Sequence, residues 1–177
     1  MEESIGQEAR EETAKEGRPE TGSILQHIRE SFPGKRQDPK AYSPLALAYM
    51  GDALYDLIIR TVVVERANRP VRDLHRITVQ YVSAGAQAEI ASALLDRLTE
   101  EEKAVYRRGR NAKPHTKAKN ATMEDYLKAT GFEAVLGYLY LTDNIERALE
   151  LVRDGLAATD NRKAEVRRSI CHTKNSQ

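Results

Sequence analysis

The stretch LALAYMGDALYDLIIR, residues 45–60, has the apolar pattern of a long and mostly buried helix. The pattern, with a proline at the first helical position, predicts a helix from about Pro44 to Arg66. Asp52 interrupts the apolar run directly after Gly51. A glycine inside a helix costs roughly 1 kcal/mol relative to alanine, so we expect another helix or a ligand to approach closely at this point.

A second stretch, TGFEAVLGYLYL at residues 130–141, repeats this combination of an acid and glycines in apolar surroundings. Glu133 lies beside the apolar stripe, so both acids are expected to be buried, and a buried carboxylate is costly unless a cation balances its charge. If Asp52 and Glu133 met, a divalent ion would relieve their repulsion, and oxygen ligands favour Mg²⁺ or Mn²⁺. Spacing does not show that they meet, and a solvated or salt-bridged acid is the ordinary alternative.

The remaining sequence is helical in pattern and predicts an all-α domain over residues 41–157. Ser83 is a predicted helix N-cap, and Thr99 with Glu102 three residues later forms a predicted capping box. Residues 1–40 are polar and predict a disordered N-terminal tail, within which the amphipathic stretch SILQHIRESF predicts one or two helical turns. Residues 158–177 predict a polar C-terminal tail or a frayed helix.

The composition is that of one globular domain: 177 residues, 40% hydrophobic and 31% charged. No apolar run approaches the roughly 20 residues that a membrane span needs, and the acidic N-terminus lacks the pattern of a secretory signal. The single cysteine, Cys171, cannot form an internal disulfide or a paired-cysteine metal site. These features predict a cytoplasmic protein without a membrane partner.

A basic segment covers residues 103–119, with seven basic residues and no acidic one. A helix C-terminus that attracts cations would explain two or three of them, but phosphate binding explains the whole run better. Gln87 and Ser83 belong to the same surface or are ordinary helix-surface groups. The predicted RNA contacts are Arg107, Arg108, Arg110, Lys113, Lys117 and Lys119, with Asn111, His115 and Thr116 as further hydrogen-bonding groups.

Four ordered blocks carry a family resemblance: LALAYMGDALYDL, DLHRITVQYVSAGAQAEI, EEKAVYRRGRNAK and FEAVLGYLYL. Over about residues 42–155 the chain resembles the ribonuclease III family, and most closely its short bacterial mini-ribonuclease III branch, which lacks a double-stranded-RNA-binding domain. The resemblance implies an all-helical ribonuclease III endonuclease domain that works as a homodimer. Double-stranded RNA would lie across a valley between the subunits, and each subunit would supply one metal-dependent site.

By position, the resemblance puts the catalytic metal ligands at Asp52 and Glu133, with Mg²⁺ as the cofactor and Mn²⁺ as a substitute. Two further acids of the full-length enzymes fall on Ala48 and Thr130, which are not acidic. The implied substrate is the paired stem of precursor 23S ribosomal RNA, with a ribosomal protein or an assembling ribosomal subunit as a further partner.

Two other classes of function stay open at this point. A non-catalytic RNA-binding or dimerisation module on the same fold would account for the missing acids at Ala48 and Thr130. A helical protein-interaction domain without an RNA partner would leave the basic segment unexplained.

Overall fold

A computed structural model describes residues 22–66, 68–112 and 122–174, and their side chains as far as residue 160. These ranges contain helices and no strand, which confirms the all-α prediction. None of their helices has the length and apolar character needed to cross a membrane. The helices are α1 (Ile24–Ser31), α2 (Pro44–Arg66), α3 (Val71–Val82), α4 (Ala84–Leu94), α5 (Glu100–Arg110), α6 (Met123–Leu141) and α7 (Ile145–Lys174), with 3₁₀ turns at Pro39–Ala41 and Leu95–Arg97.

The chain divides into two units, of which the first contains α1 and the second contains all later elements. Helix α1 begins with a capping box between Ser23 and Gln26 and lies within residues 1–40, and the turn at Pro39–Ala41 begins at the end of that range. Helix α7 continues past residue 157 to Lys174. The sequence predicted tails for both segments, the first with one or two helical turns in SILQHIRESF and the second with a frayed helix as the alternative.

Local capping signals set most helix boundaries of the second unit. Helix α2 begins and ends at the predicted residues, Pro44 and Arg66. The Ser83 hydroxyl accepts a hydrogen bond from the backbone N–H of Ala86 at the start of α4. The predicted capping box before α5 is confirmed: the Thr99 hydroxyl accepts from the N–H of Glu102, and the Glu102 carboxylate accepts from the N–H of Thr99 at 2.8 Å. Each cap satisfies backbone donors that have no partner inside the helix.

Helix α6 lies at the centre of the core. Between Ala129 and Leu139 every residue is buried except Glu133, which is partly exposed. Helices α2, α4 and α5 pack around it, and the Tyr55 ring of α2 contacts the Phe132 ring edge-on at a centroid distance of 5.7 Å. A helix buried all round must meet several partners, which explains why its apolar residues form no single stripe.

One buried ion pair joins α5 to α7. Arg147 donates from Nε and Nη2 to the two carboxylate oxygens of Glu102, at 2.9 and 3.0 Å. Burial opposes ionisation of Glu102, but hydrogen bonds from Arg147 and Thr99 outweigh it and lower the pKa of that carboxyl. The pair therefore stabilises the packing of α7 only while both partners are present.

Candidate active site

The close approach predicted at Gly51 is a crossing of the α2 and α6 backbones. A Cβ atom at Gly51 would lie 1.8 Å from the carbonyl oxygen of Glu133, and one at Gly137 would lie 2.0 Å from the carbonyl oxygen of Leu47. No side chain fits in either place, so only glycine permits this contact. Since Asp52 follows Gly51, the crossing brings Asp52 and Glu133 to the same place on the molecule.

Asp52 is exposed, so the prediction that both acids are buried is wrong for this one. The helix that carries it is buried on its other side, and the carboxylate remains at the edge of the crossing. Partial loss of hydration still raises the pKa of Asp52, and the negative charge of Asp56 one turn later raises it further. Asp56 itself is paired with Arg60.

Glu133 is the more strongly perturbed carboxylate. Burial raises its pKa to about 7, the charge of Asp52 contributes in the same direction, and a hydrogen bond from the Gln87 side chain acts in the opposite direction. Asp52 and Glu133 are therefore close enough to repel each other. Within the described ranges neither has an ion pair with a lysine, arginine or histidine.

Two carboxylates with no neighbouring cation fit a divalent metal ion, because the ion would replace their repulsion by attraction. In the part of the chain that the structure describes, no group of three or more His, Cys, Asp or Glu side chains is placed to hold a metal. Ala48 and Thr130 are both buried, and the Thr130 hydroxyl donates to the carbonyl oxygen of Tyr126 at 2.9 Å. Neither position can add a ligand.

The C-terminal end of α5 lies against the same part of α6. A Cβ atom at Gly109 would lie 2.9 Å from the Cα of Gly131 and 2.8 Å from the Cβ of Ala134. Arg107 and Arg110 flank this contact with exposed side chains. The basic helix end is thus within one helical turn of Glu133 along α6.

The predicted RNA contacts differ in their surroundings. Arg107, Arg110 and Asn111 are exposed. Arg108 donates hydrogen bonds to the backbone carbonyls of Lys40 and Tyr42, at 3.3 and 2.9 Å, and so attaches the segment before α2 to α5. The other predicted contacts lie outside the described residues; they are Lys113, His115, Thr116, Lys117 and Lys119.

Gln87 is a second residue whose burial differs from the prediction. It is 2% exposed and therefore not a helix-surface amide. The surrounding residues of α4 are mostly small and apolar, so no polar face was visible in the sequence to show which way the side chain points. Ser83 has the simpler role of capping α4.

Comparison with known proteins gives the family. The family model of the ribonuclease III domain matches residues 45–144. The chain belongs to the ribonuclease III family. It is 54% identical over 105 residues to a mini-ribonuclease 3 of Thermoanaerobacter sp. (strain X514), covering 59% of this chain and 74% of the relative. It is 50% identical over 118 residues to a mini-ribonuclease 3 of Enterococcus faecalis, covering 66% of this chain and 89% of that relative.

A solved structure agrees with this assignment. The crystal structure of a protein from Fusobacterium nucleatum superposes with a TM-score of 0.63 and 27% identity, covering 70% of this chain and 99% of that one. The relatives support the mini-ribonuclease III branch that the sequence predicted. The protein is accordingly an endoribonuclease of the ribonuclease III family, a family that depends on divalent metal ions.

Proposed function

We propose that this ribonuclease III endonuclease hydrolyses phosphodiester bonds in double-stranded RNA, with Asp52 and Glu133 as the catalytic ligands of a Mg²⁺ ion. Mn²⁺ would substitute for it, because both ions prefer oxygen ligands in an octahedral shell. The observation that supports this best is the backbone crossing at Gly51 and Gly137. It brings together two carboxylates that repel each other and have no cation beside them among the described residues.

The two carboxylates and the ion that they bind would have separate roles in the reaction. Asp52 and Glu133 would hold the ion, with water and RNA phosphate oxygens filling the rest of its shell. Glu133 would have to lose its proton first, so metal binding below about pH 7 would release a proton. The bound ion supplies Lewis-acid polarisation of the phosphodiester and lowers the pKa of a water nucleophile.

The exposed end of α5 is the proposed RNA-binding surface. Arg107, Arg110 and Asn111 would contact phosphates and sugar hydroxyls, which are the groups through which A-form RNA is recognised. Their place beside α6 supports this, since RNA held there would reach the two carboxylates. The proposal extends to Lys113, His115, Thr116, Lys117 and Lys119 by sequence alone. Arg108 contributes less, because its guanidinium is already bound to backbone carbonyls.

The family likeness extends the proposal to assembly and substrate. We expect a homodimer whose two sites each cut one strand, acting in the cytoplasm. The proposed natural substrate is the paired stem of precursor 23S ribosomal RNA, with ribosomal protein or the assembling subunit as a partner. Relatives named mini-ribonuclease 3 support the branch to which these expectations belong.

Cleavage of a long double-stranded RNA in Mg²⁺, with and without EDTA, tests the catalytic part. Asp52→Asn and Glu133→Gln should each abolish cleavage and leave RNA binding largely intact. Glu65→Gln is the matched control, because Glu65 is an exposed acid farther along the same helix as Asp52. Normal cleavage by either site variant would remove that residue from the mechanism, and cleavage in EDTA would refute a metal-dependent reaction.

Salt titrations of RNA binding test the proposed surface. They are made in the Asp52→Asn background, so that the RNA remains intact. Arg110→Ala should weaken binding and reduce the slope of log affinity against log salt by about 1. Arg72→Ala, an exposed arginine on α3, is the control and should change neither quantity. An unchanged slope for Arg110→Ala would place the RNA elsewhere.

A further inference from the structure

Gln87 is a polar residue that is buried deep in the protein. The side chain lies on α4 at 2% exposure, among alanines and apolar residues. Burying an amide costs free energy unless its hydrogen bonds are replaced, and an apolar side chain of similar shape would avoid that cost. The presence of an amide at this position therefore has to be explained by the hydrogen-bonding groups around it.

The Gln87 side chain reaches acceptors on two different helices, α3 and α6. Nε2 donates to the carbonyl oxygen of Val82, the last residue of α3, at 3.2 Å. Because a carbonyl accepts but cannot donate, this contact fixes which end of the amide faces Val82. The side chain also lies near enough to the Glu133 carboxylate to lower its pKa through hydrogen bonding. An amide NH₂ group has two hydrogens, so it can serve both acceptors at once.

The amide oxygen of the same side chain has no partner. Among the residues that the structure describes, Gln87 Oε1 is a buried side-chain oxygen without a hydrogen-bond donor. Such an orphaned acceptor is unfavourable in a folded protein. Oε1 and Nε2 belong to one planar group, so the orphaned oxygen lies close to Glu133 as well. A water molecule on a cation bound by Glu133 is a donor of the right kind to satisfy it.

We infer that Gln87 is a positioning residue of the metal site, which holds the Glu133 carboxylate through Nε2 and receives a metal-bound water at Oε1. This rests on the proposed function, since it requires Glu133 to be a metal ligand. It assigns a role to a buried amide from α4, a helix that contributes no carboxylate to the site. Partners of this kind that orient a ligand typically change metal affinity about 10–100-fold when they are removed.

Calorimetric titration of the full chain with Mn²⁺, in the absence of RNA, tests the inference without relying on activity. Gln87→Met keeps the volume and removes both hydrogen-bonding atoms. We expect Mn²⁺ affinity to fall about 10–100-fold, cleavage to recover as Mg²⁺ is raised, and RNA affinity in EDTA to stay unchanged. Thr78→Val is the matched control, because Thr78 is a polar residue equally buried on α3 and is not among the groups that shift the pKa of Glu133.

The outcomes separate this inference from the proposed function. If wild-type protein binds Mn²⁺ and Gln87→Met binds it equally tightly, Gln87 only joins helices and the inference is refuted. If the wild type itself neither binds Mn²⁺ nor depends on metal for cleavage, the proposed function fails with it. Gln87→Asn provides the test if the apolar variant does not fold. Its amide is one methylene too short to reach both Val82 and Glu133, so its Mn²⁺ affinity should also fall.

Discussion

Replacing Glu133 by glutamine should stabilise the metal-free protein at alkaline pH while it abolishes cleavage. The pKa of Glu133 is raised from 4.5 to about 7 in the folded chain. Because each pKa unit corresponds to about 1.4 kcal/mol, keeping this carboxylate ionised costs the folded state roughly 3 kcal/mol. Glutamine has the same shape and can still accept a hydrogen bond from Gln87, but it carries no charge.

The pH dependence has a definite sign. The pKa of Glu133 is higher in the folded than in the unfolded chain, so the folded state binds the proton more tightly. The wild type therefore loses this contribution to stability as the pH rises from 4.5 to about 7, and the loss is complete above that range. At pH 4.5 the two proteins should differ by less than about 0.5 kcal/mol, and at pH 8 by roughly 3 kcal/mol.

Urea unfolding in EDTA at the two pH values measures the difference directly. Adding Mg²⁺ at pH 8 should then stabilise the wild type and leave Glu133→Gln unchanged, because only the wild type binds the ion. Glu65→Gln, an exposed acid, should follow the wild type throughout. A Glu133→Gln variant that is no more stable than wild type at pH 8, or whose stability differs equally at both pH values, would refute the reasoning.

Three other perturbations are expected to have measurable effects. Gly51→Ala should lower the free energy of unfolding by about 3 kcal/mol or more and abolish cleavage, because its Cβ would overlap the Glu133 carbonyl. In the same urea assay the control Gly85→Ala should not destabilise the protein, because a Cβ at Gly85 meets nothing within 4 Å. Arg147→Met should lower the free energy of unfolding by about 3–5 kcal/mol at pH 7, because it leaves the Glu102 carboxylate buried without its ion-pair partner. This loss of stability should become smaller at acid pH, where Glu102 is protonated. Asp52→Asn should lower the pKa of Glu133, measured by ¹³C NMR of the carboxyl without metal, and an unchanged value would mean that the two groups do not interact.

Local signals in the sequence were enough to place both ends of α2 and the starts of α4 and α5. The proline at the start of α2 and the capping box at Thr99 and Glu102 act over three or four residues, so they can be recognised without tertiary information. Gly51 could be interpreted in the same way. A glycine in an apolar helix predicted a close contact, and the α6 backbone forms that contact.

Contacts between distant segments could not be predicted in this way. No spacing rule joins Asp52 to Glu133, and only the family resemblance linked them before the structure was known. Arg108 belongs by composition to a basic surface, but carbonyls more than 60 residues away bind its guanidinium. Gln87 was ambiguous because α4 is apolar or small on nearly every side, so its burial depends on where α6 lies.

The contact between the α2 and α6 backbones also limits how this sequence can diverge. Side chains elsewhere in the core can be exchanged for others of similar volume, since neighbouring side chains adjust. The two backbones at Gly51 and Gly137 cannot move apart without opening the core, so folding requires these glycines whether or not RNA is cut. A descendant that had lost catalysis would be free to lose Asp52 and Glu133 while it kept both glycines. The glycines therefore mark the ancestry of such a chain, and the carboxylates mark its activity.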